Sequence, residues 1–563
     1  MGGITFPKIY NTYFVAFVAT VGGMLFGFDI SSMSAIIGTE QYNNFFNKPA
    51  GVTQGACSGI GRRIDYGWTH QRQNWSSGLN LLCLLMVSHL LPSATCEHIG
   101  GAWWLVGTAV QTSTSGIGSL IAGRVLNGVC VGITSSQVPV YLAEISRKEK
   151  RGAIIIIQQL AIEWGILIMY FIGYGCSFID GPASFRTAWG IQFVPCVFLM
   201  IGLPFLPRSP RWLAKVDRTD EAIMVLAKIQ AGGKINDPLV VAEWEDITQT
   251  LAAERTAAPG WRKFVINGMW KRTLAGFTVQ MWQQNSGANV MTYYVVYIFM
   301  MAGLTGNINL IASGVQYALF IVFTTIMFFC IDRIGRRQLL IYGALAMGAC
   351  HFVVGGILSA GVNVPGGVGG NPNVVIKVSG AKANTVIAFS YLLIIVYALT
   401  LAPVAWVYAA EVWSLETRAT GMGISALGNW LFNFALGLYI PPGFQNIKWG
   451  MFIVFGCMCV LGAIQFFFTY PETCNKTLEE IEEMFADWSK IPPWKTKMGD
   501  SRLDRLVDEA REKRYSVEDV QKRTGSVGHD VHVESASHDE EKAAIEQVKA
   551  QATNPGQQEH LKA

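Results

Sequence analysis

Residues 384–409 read NTVIAFSYLLIIVYALTLAPVAWVYA, a stretch that contains no charged side chain. The hydrocarbon core of a bilayer is about 30 Å thick, and a helix needs about 20 apolar residues to cross it. Lipid offers no partners to backbone N–H and C=O groups, so only helices and closed barrels cross it. A barrel strand has only about 10 residues, so this much longer stretch predicts an all-α membrane protein.

Similar segments recur along the chain and predict two membrane-embedded bundles. They lie at 13–37, 117–142, 153–175, 188–206, 273–300, 310–331, 338–361, 421–442 and 448–469. Polar sequence separates and flanks the bundles. The predicted organisation is a cytosolic N-terminus (1–12), an N-terminal transmembrane bundle (13–206), a cytosolic linker with short helices (207–272), a C-terminal transmembrane bundle (273–469) and a cytosolic, largely disordered tail (470–563).

The composition excludes several classes of protein. Of the 563 residues, 51% are hydrophobic and 15% are charged, whereas soluble domains carry about 25% charged residues. A net charge of +4 is too small to indicate a nucleic-acid partner. The 11 cysteines are scattered singly, without the spacing of a metal site. No nucleophile accompanies a base at membrane depth, so we expect no enzyme activity, catalytic residue, metal or cofactor.

Lysine and arginine concentrate in short loops, which predicts the orientation in the membrane. These loops lie at 147–151, 208–215, 262–272 and 333–337. Basic loops stay on the cytoplasmic side, so both termini are expected there, with an even number of spans between them. We expect a multi-pass protein of the plasma membrane. The first apolar block is too long for a cleavable signal peptide.

A short internal repeat lies where one long span of each bundle ends. Glu144 precedes Arg151 by seven positions, and Glu411 precedes Arg418 by the same number. Glutamate and arginine at the membrane edge can pair across helix ends. The repeat therefore predicts charge pairs that hold the two bundles together on the cytosolic side, with ordinary interfacial charge as the alternative.

Seven motifs, in order along the chain, carry a resemblance to a known family. They are GGMLFGFD (22–29), GRVLNG (123–128), PVYLAE (139–144), PRSPRW (207–212), QQNSGAN (283–289), DRIGRR (332–337) and PET (471–473). Together they resemble the sugar porter family of the major facilitator superfamily, most of all the hexose and pentose carriers of filamentous fungi. The resemblance implies the major facilitator fold, with twelve helices in two six-helix bundles. It also implies a sugar site midway through the membrane and alternating access.

A set of amides on the span 273–300 fits a sugar. A pyranose offers hydroxyl groups that donate and accept, so a carrier needs neutral amides and an aromatic platform. On one continuous helix, Gln283 and Asn289 would lie within about 120° of each other, beside Gln284. Tyr293 would extend that face, four residues after Asn289. Helix–helix hydrogen bonding is the alternative role for these amides.

The resemblance adds substrate-binding residues on other spans. It places Gln159, with Gln158 as its neighbour, and Asn429 among the amides that contact the sugar. It places Trp406, after a helix break predicted at Ala402-Pro403, beneath the sugar ring. Gln316 is a weaker candidate, because it lies further from the motif at 332–337 than in bacterial and animal members. The glycine pattern at 22–27 is associated in the family with use of xylose besides glucose, and predicts close helix approach.

Two acids lie inside apolar spans, where an ionisable group is a functional hypothesis by default. Asp29 has an obvious partner in Arg124, which stands alone inside another span of the first bundle. In proton-coupled relatives this aspartate takes the proton, so we predict that protonation of Asp29 breaks the pair; a static ion pair is the alternative. Glu163 departs from the family. It either lines the cavity as a second titratable group or weakens the protein.

The resemblance implies a cytosolic gate made of charged residues in both bundles. The gate is expected to consist of Glu144, Arg151, Asp332, Arg333, Arg336, Arg337, Glu411 and Arg418.

The family pattern stops at Thr53 and returns near Ala102. A second helix belongs here, but its only apolar run, 79–91, is too short to cross a membrane. We predict that this segment disrupts the second helix, either because it is read out of frame or mis-spliced, or because it is a divergent extracellular insertion. In the second case Asn74-Trp75-Ser76 would be a glycosylation sequon.

The sequence thus predicts a proton-coupled symporter for monosaccharides, glucose and possibly xylose. The alternatives are a facilitator, a carrier for polyols or quinate-like acids, and a sugar sensor that transports little. The expected partners are a monosaccharide, the proton and the lipid bilayer, with no nucleic acid and no second subunit.

Overall fold

A computed structural model of the chain describes residues 8–33, 36, 40–46, 93–254, 264–265, 268–304, 307–365, 368, 374–414, 417–486, 492–496 and 498. The apolar run 79–91, the sequon at 74–76 and most of the predicted tail lie outside these ranges.

The N-terminal bundle consists of α1 and α3 to α7, and the linker of α8 to α10. The helices are α1 (Thr12–Ser31), α2 (Glu40–Phe45), α3 (Ser93–Thr112), α4 (Ile117–Ile145), α5 (Arg151–Cys176), α6 (Ala183–Gly190), α7 (Phe193–Gly202), α8 (Pro210–Lys215), α9 (Thr219–Gln230) and α10 (Pro238–Glu254). Two 3₁₀ turns, Lys148–Lys150 and Leu203–Phe205, follow α4 and α7.

The C-terminal bundle consists of α11 to α19, with a small hairpin between α15 and α16. The elements are α11 (Met269–Asn285), α12 (Ala288–Tyr293), α13 (Val295–Met301), α14 (Asn307–Ile334), α15 (Arg336–Ser359), β1 (Val362–Asn363), β2 (Ile376–Lys377), α16 (Ala381–Leu399), α17 (Leu401–Glu411), α18 (Arg418–Asn446), α19 (Gly450–Thr469) and α20 (Leu478–Ala486). A last 3₁₀ turn spans Pro493–Lys495. Strands β1 and β2 pair antiparallel, with Val362 opposite Lys377.

Within the described ranges, eight helical segments are long and apolar enough to cross a membrane. They are Thr12–Ser31, Ile117–Ile145, Arg151–Cys176, Ala183–Phe205, Ile311–Ile334, Arg336–Ser359, Ala381–Glu411 and Gly450–Thr469. Each corresponds to a predicted span. The predicted spans 273–300 and 421–442 are also helical, but they are richer in amides and glycines.

Helix α3 corresponds to none of the predicted spans. Residues 93–102 belong to a regular helix, although they lie in the interval 53–102 where we expected disruption. Glu97 and His98 near its start made it unlike a membrane span. The side chain of Trp104 is nevertheless fully buried in this bundle, and its indole donates a hydrogen bond to the Gln192 carbonyl (3.1 Å).

Several helix breaks lie inside predicted spans, among them one in 384–409 and one in 273–300. Thr400, with φ −134° and ψ −94°, separates α16 from α17, two residues before the predicted break. Gly287, with φ +75°, separates α11 from α12. A left-handed conformation is readily adopted only by glycine, so the second break is built into the sequence.

Helices α1 and α5 approach closely at glycines. A Cβ added to Gly27 would lie 2.0 Å from the Ile162 carbonyl oxygen and 3.0 Å from Gly165 Cα. The close approach predicted for the glycines of 22–27 is therefore present, and its partner is the backbone of α5.

Replacement of Gly27 by alanine should destabilise the protein, because rigid backbone cannot make room for the methyl group. Overpacking of this kind costs about 1–3 kcal/mol. We expect a lower midpoint in thermal unfolding of the detergent-purified protein. Gly118→Ala is the matched control, since a Cβ there meets nothing within 4 Å; equal midpoints for the two variants would contradict the prediction.

Candidate functional site

Three amides from two helices of the C-terminal bundle form a buried cluster. Asn429 on α18 donates through its Nδ2 to Gln280 Oε1 (2.7 Å) and to Gln283 Oε1 (2.9 Å), both on α11. Gln283 Nε2 in turn donates to the carbonyls of Ala402 (2.9 Å) and Leu401 (3.3 Å) on α17. The structure thus brings together Gln283 and Asn429 where α11, α17 and α18 meet.

A second group of amides lies at the break between α11 and α12. Gln284 Oε1 accepts hydrogen bonds from Asn433 on α18 (3.0 Å) and from Asn289. On one continuous helix, Asn289 would lie close to the face of Gln283. The left-handed Gly287 changes that geometry, and the observed partner of Asn289 is Gln284. Tyr293 ends α12, but its side chain lies outside the described residues.

Gln159 lies on the N-terminal side of the interface between the bundles. Its Nε2 donates to Glu163 Oε1 (3.0 Å), one turn further along α5. The same oxygen accepts from Thr324 Oγ1 (2.8 Å) on α14. The Glu163 carboxylate therefore connects the two bundles.

Several buried polar atoms near these amides have no hydrogen-bond partner within the described structure. They are Asn429 Oδ1, Gln316 Oε1, Glu163 Oε2 and both amide atoms of Gln158. A buried polar group that lacks a hydrogen-bond partner costs about 1–3 kcal/mol of stability. The unsatisfied groups fit the need for a polar ligand rather than a packing role alone.

Trp406 is the residue predicted to lie beneath the sugar ring. It lies on α17 and is buried, and the neighbouring Ala405 carbonyl accepts from Gln280 Nε2 (3.4 Å). Helix α17 thus carries Trp406 and also accepts the hydrogen bonds of Gln283, which lies on α11.

Asp29 and Arg124 form an ion pair within the N-terminal bundle. Arg124 Nη2 lies 3.2 Å from Asp29 Oδ2. Its Nη1 donates to Ser32 Oγ (2.8 Å), whose hydroxyl donates to the Asp29 carbonyl (2.8 Å). Asp29 Oδ1 is buried without a partner among the described residues. One carboxylate oxygen is thus held by the arginine and the other is available to a proton.

A first charge pair joins the bundles at the end where α4 and α14 terminate, here called the charged end. Arg418 Nη1 on α18 lies 3.4 Å from Glu144 Oε1 on α4. Ser209 Oγ donates to Glu144 Oε2 (2.5 Å), and Arg211 donates to the Glu144 carbonyl (3.1 Å). The repeat predicted that its glutamates and arginines pair and hold the bundles together. In the structure Glu144 of the first copy pairs with Arg418 of the second.

A second charge cluster at this end is centred on Arg336, whose side chain is fully buried. Its Nη2 lies 2.8 Å from Asp332 Oδ1 and 3.2 Å from Glu411 Oε1. Asp332 also accepts from the backbone N–H groups of Gly152 (3.1 Å) and Ala153 (2.9 Å), at the N-terminus of α5. A carboxylate at a helix N-terminus is stabilised by the helix dipole. Asp332 therefore ties the C-terminal bundle to the N-terminal one.

The remaining gate residues lie at the periphery of these clusters. Arg151 donates to the Lys476 carbonyl (3.1 Å). Arg337 donates to the Phe467 carbonyl (2.9 Å) and lies over the Phe467 ring. The Arg333 side chain is exposed.

Some members of these clusters were missed in the sequence analysis. Gln280 lies one turn before Gln283 and Asn433 one turn after Asn429, so helical spacing was the available signal. Glu472, quoted only as part of a motif, accepts from the backbone N–H groups of Arg336 (2.8 Å) and Arg337 (3.1 Å). Among the described residues, no group of three or more histidine, cysteine, aspartate or glutamate side chains could hold a metal ion.

Comparison with known proteins gives consistent results across nearly the whole chain. Residues 15–485 match the family described as "Sugar (and other) transporter". A high-affinity glucose transporter of Kluyveromyces lactis is 40% identical over 96% of this chain and 95% of its own length. An MFS glucose transporter, mfs1, of Aspergillus flavus is 37% identical over 92% of this chain and 97% of its own length.

Solved structures show the same fold. The proton:xylose symporter XylE bound to 6-bromo-6-deoxy-D-glucose has a TM-score of 0.70 at 22% identity, covering 84% of this chain and 99% of that chain. An inward-open structure of XylE from E. coli has a TM-score of 0.58 at 21% identity, with the same coverage. These likenesses confirm the predicted all-α major facilitator fold.

Proposed function

The chain belongs to the sugar (and other) transporter family, the sugar porters of the major facilitator superfamily, and we propose that it carries glucose and xylose by proton symport with alternating access. It is a multi-pass membrane protein and a transporter rather than an enzyme. Its relatives are named as glucose transporters, and a structural neighbour as a proton:xylose symporter.

The ion pair of Asp29 and Arg124 is the observation that carries the proton coupling. A carboxylate inside a membrane-spanning helix is costly unless it serves a function or is paired. Protonation of Asp29 removes its charge and weakens the 3.2 Å contact with Arg124. The bond network through Ser32 then loosens, and the N-terminal bundle is free to move.

Alternating access is supported by the contacts at the charged end. Asp332 and Arg418 each bond across the two bundles, so this end is closed in the described state. We assign this end to the cytosol, because the basic loops lie there. In this orientation both termini are cytoplasmic, and the protein acts as a monomer in the plasma membrane.

The sugar is proposed to bind among the buried amides. Gln283, Gln284, Asn289 and Asn429 supply donors and acceptors from the C-terminal bundle, and Gln159 supplies them from the N-terminal bundle. Trp406 provides an apolar surface for the sugar ring, and Tyr293 is proposed as a further sugar-binding residue. We infer that residues 13–206 and 273–469 rock about this site, while the linker 207–272 and the tail 470–563 remain cytosolic.

Uptake of labelled glucose, with xylose as competitor, tests the proposal in a yeast that lacks its own hexose carriers. The full chain is expressed, its surface level is measured, and half of the samples receive an uncoupler. Uptake that the uncoupler abolishes supports symport, and competition by xylose supports the second substrate. Uptake that survives the uncoupler indicates a facilitator and refutes the coupling.

A chain that reaches the surface but carries no glucose would refute the proposed function for this sequence. The follow-up is the same assay with residues 53–92, which precede α3, replaced by a regular second helix. Recovery of uptake would locate the defect in that segment. Uptake by the unaltered chain would show that the segment is tolerated.

Substitution of Gln283 by leucine should weaken sugar transport strongly, because it removes hydrogen bonds to the sugar and to Asn429. A buried donor or acceptor left unsatisfied costs about 1–3 kcal/mol, which corresponds to about a tenfold to hundredfold increase in KM. Initial uptake rates over a range of glucose concentrations measure it. Gln465→Leu is the matched control: Gln465 bonds Trp282 and Thr278 outside the cluster, and an equal change in KM would argue against a sugar contact.

A further inference from the structure

Glu163 is a buried acid that takes no part in the proton coupling proposed for Asp29 and Arg124. Its side chain is 1% exposed. Its Oε1 accepts one hydrogen bond from each bundle, from Gln159 on α5 and from Thr324 on α14. Its Oε2 has no partner within the described structure. The carboxyl thus lies directly between a proposed sugar ligand and the opposite bundle.

No cation faces this carboxyl in the described part of the chain. Charged residues on α5 and on the helices packed against it are Arg151 on α5, Asp29 on α1, Arg124 and Glu144 on α4, Arg186 on α6, Asp332 and Arg333 on α14, and Glu411 on α17, besides the turn Lys148–Lys150. None of them bonds Glu163, and Asp29 and Arg124 are paired with each other. The other titratable side chains of these helices are tyrosines and cysteines, which supply no cation.

The energetics of this setting favour a neutral acid. Burying an ionised carboxylate without a cation costs several kcal/mol, whereas the neutral acid keeps both accepted bonds at Oε1 and carries its proton on Oε2. Separation of α5 from α14 breaks the Thr324 bond and admits water. The charged form then becomes acceptable, so the proton on Glu163 is linked thermodynamically to the contact between the bundles.

We propose that Glu163 is a second proton-binding residue of the transport cycle, which holds a proton while the bundles meet at Thr324 and releases it when they part. The proposal rests on the proposed symport. It adds that each sugar is accompanied by the proton of Glu163 as well as that of Asp29. Because Gln159 bonds the same carboxyl, sugar binding and proton binding are coupled at adjacent side chains.

The proton-to-sugar ratio in proteoliposomes tests this, measured from the membrane potential at which net sugar flux reverses. Glu163→Gln resembles the neutral acid in shape and cannot release a proton, so it should halve the ratio. Thr324→Val is the matched control, since it disturbs the same contact but keeps the carboxyl; its ratio should equal that of the unaltered protein. Equal ratios for the unaltered protein and Glu163→Gln would overturn the proposal.

Infrared titration of the purified protein gives a second readout that needs no sugar. In an Asp29→Asn background, part of the band of protonated carboxyls should be lost as the pH rises, and Asp29→Asn/Glu163→Gln should lose less of it. Glu97, a second buried acid, contributes equally to both variants. Identical band changes in the two variants would overturn the proposal. If the protein moves no sugar, the symport fails while this titration still decides whether Glu163 exchanges a proton.

Discussion

Asparagine in place of Asp29 is expected to remove one coupled proton, and with it most of the accumulation of sugar against its gradient, while exchange of sugar across the membrane continues. Asparagine has nearly the same shape and can still bond Arg124, but it cannot take up a proton. A gradient of one pH unit is worth 1.36 kcal/mol, so loss of coupling to it removes about tenfold accumulation. The amides proposed to bind the sugar lie elsewhere, on α5, α11, α12 and α18, and are unchanged.

Both processes can be measured in one preparation of proteoliposomes. Accumulation is followed after an inward proton gradient is imposed, and exchange with labelled sugar inside and outside at equal concentration. Asp180→Asn is the matched control, because Asp180 is exposed and lies outside the helices. Accumulation by Asp29→Asn at the level of the control would refute the role of Asp29 in coupling.

Replacement of Arg336 by methionine should strongly destabilise the state that is closed at the charged end. The Arg336 side chain is 0% exposed and pairs with both Asp332 and Glu411. Its removal leaves the buried Glu411 and the partly buried Asp332 without their cation, which costs about 3–5 kcal/mol. The state closed at the charged end should therefore lose at least about 100-fold in population, and uptake should fall with it.

A native thiol reports on this closure. Cys474 is buried in the cluster, and Arg336 Nη1 lies 2.8 Å from its Sγ. In inside-out vesicles, a membrane-impermeant maleimide should label Cys474 faster in Arg336→Met, and Cys474→Ser identifies the labelled site. Arg333→Gln is the control, because the Arg333 side chain is exposed.

The partner carboxylate provides a further check on the cause of the effect. Replacing both members of a buried charge pair is far less costly than replacing one. Arg336→Met/Glu411→Gln should therefore recover part of the uptake and slow the labelling relative to Arg336→Met. Unchanged labelling in Arg336→Met, or no recovery in the double variant, would show that this cluster does not hold the end closed.

The sequence predicted well those features that depend on composition and short-range spacing. Apolar length predicted the spans, because lipid permits few alternatives to a helix. Asp29 stood out as an acid in an apolar stretch, and Arg124 as the single cation that could neutralise it. The charges of the repeat were predicted to meet at one end, where the structure has Glu144 beside Arg418.

Features that depend on how helices pack could not be predicted from composition and short-range spacing. Hydrogen-bond partners across the bundles, such as Thr324 for Glu163, are separated by many residues and leave no periodic signal. The break at Gly287 altered the neighbours of Asn289, because one left-handed residue redirects every side chain after it. Helix α3 was obscured by Glu97 and His98 near its start, whereas packing in the bundle buries Glu97 itself and Trp104.

The charged side chains around Arg336 that close the charged end are poorly screened by salt in the surrounding solution. Mobile salt weakens exposed charge pairs over a Debye length of about 8 Å at physiological ionic strength, but it reaches buried pairs much less. Arg336 is fully buried, and Asp332 is held by backbone N–H groups of α5. The balance between open and closed states should thus be nearly independent of ionic strength, and a cell that swells or shrinks would keep the same transport cycle.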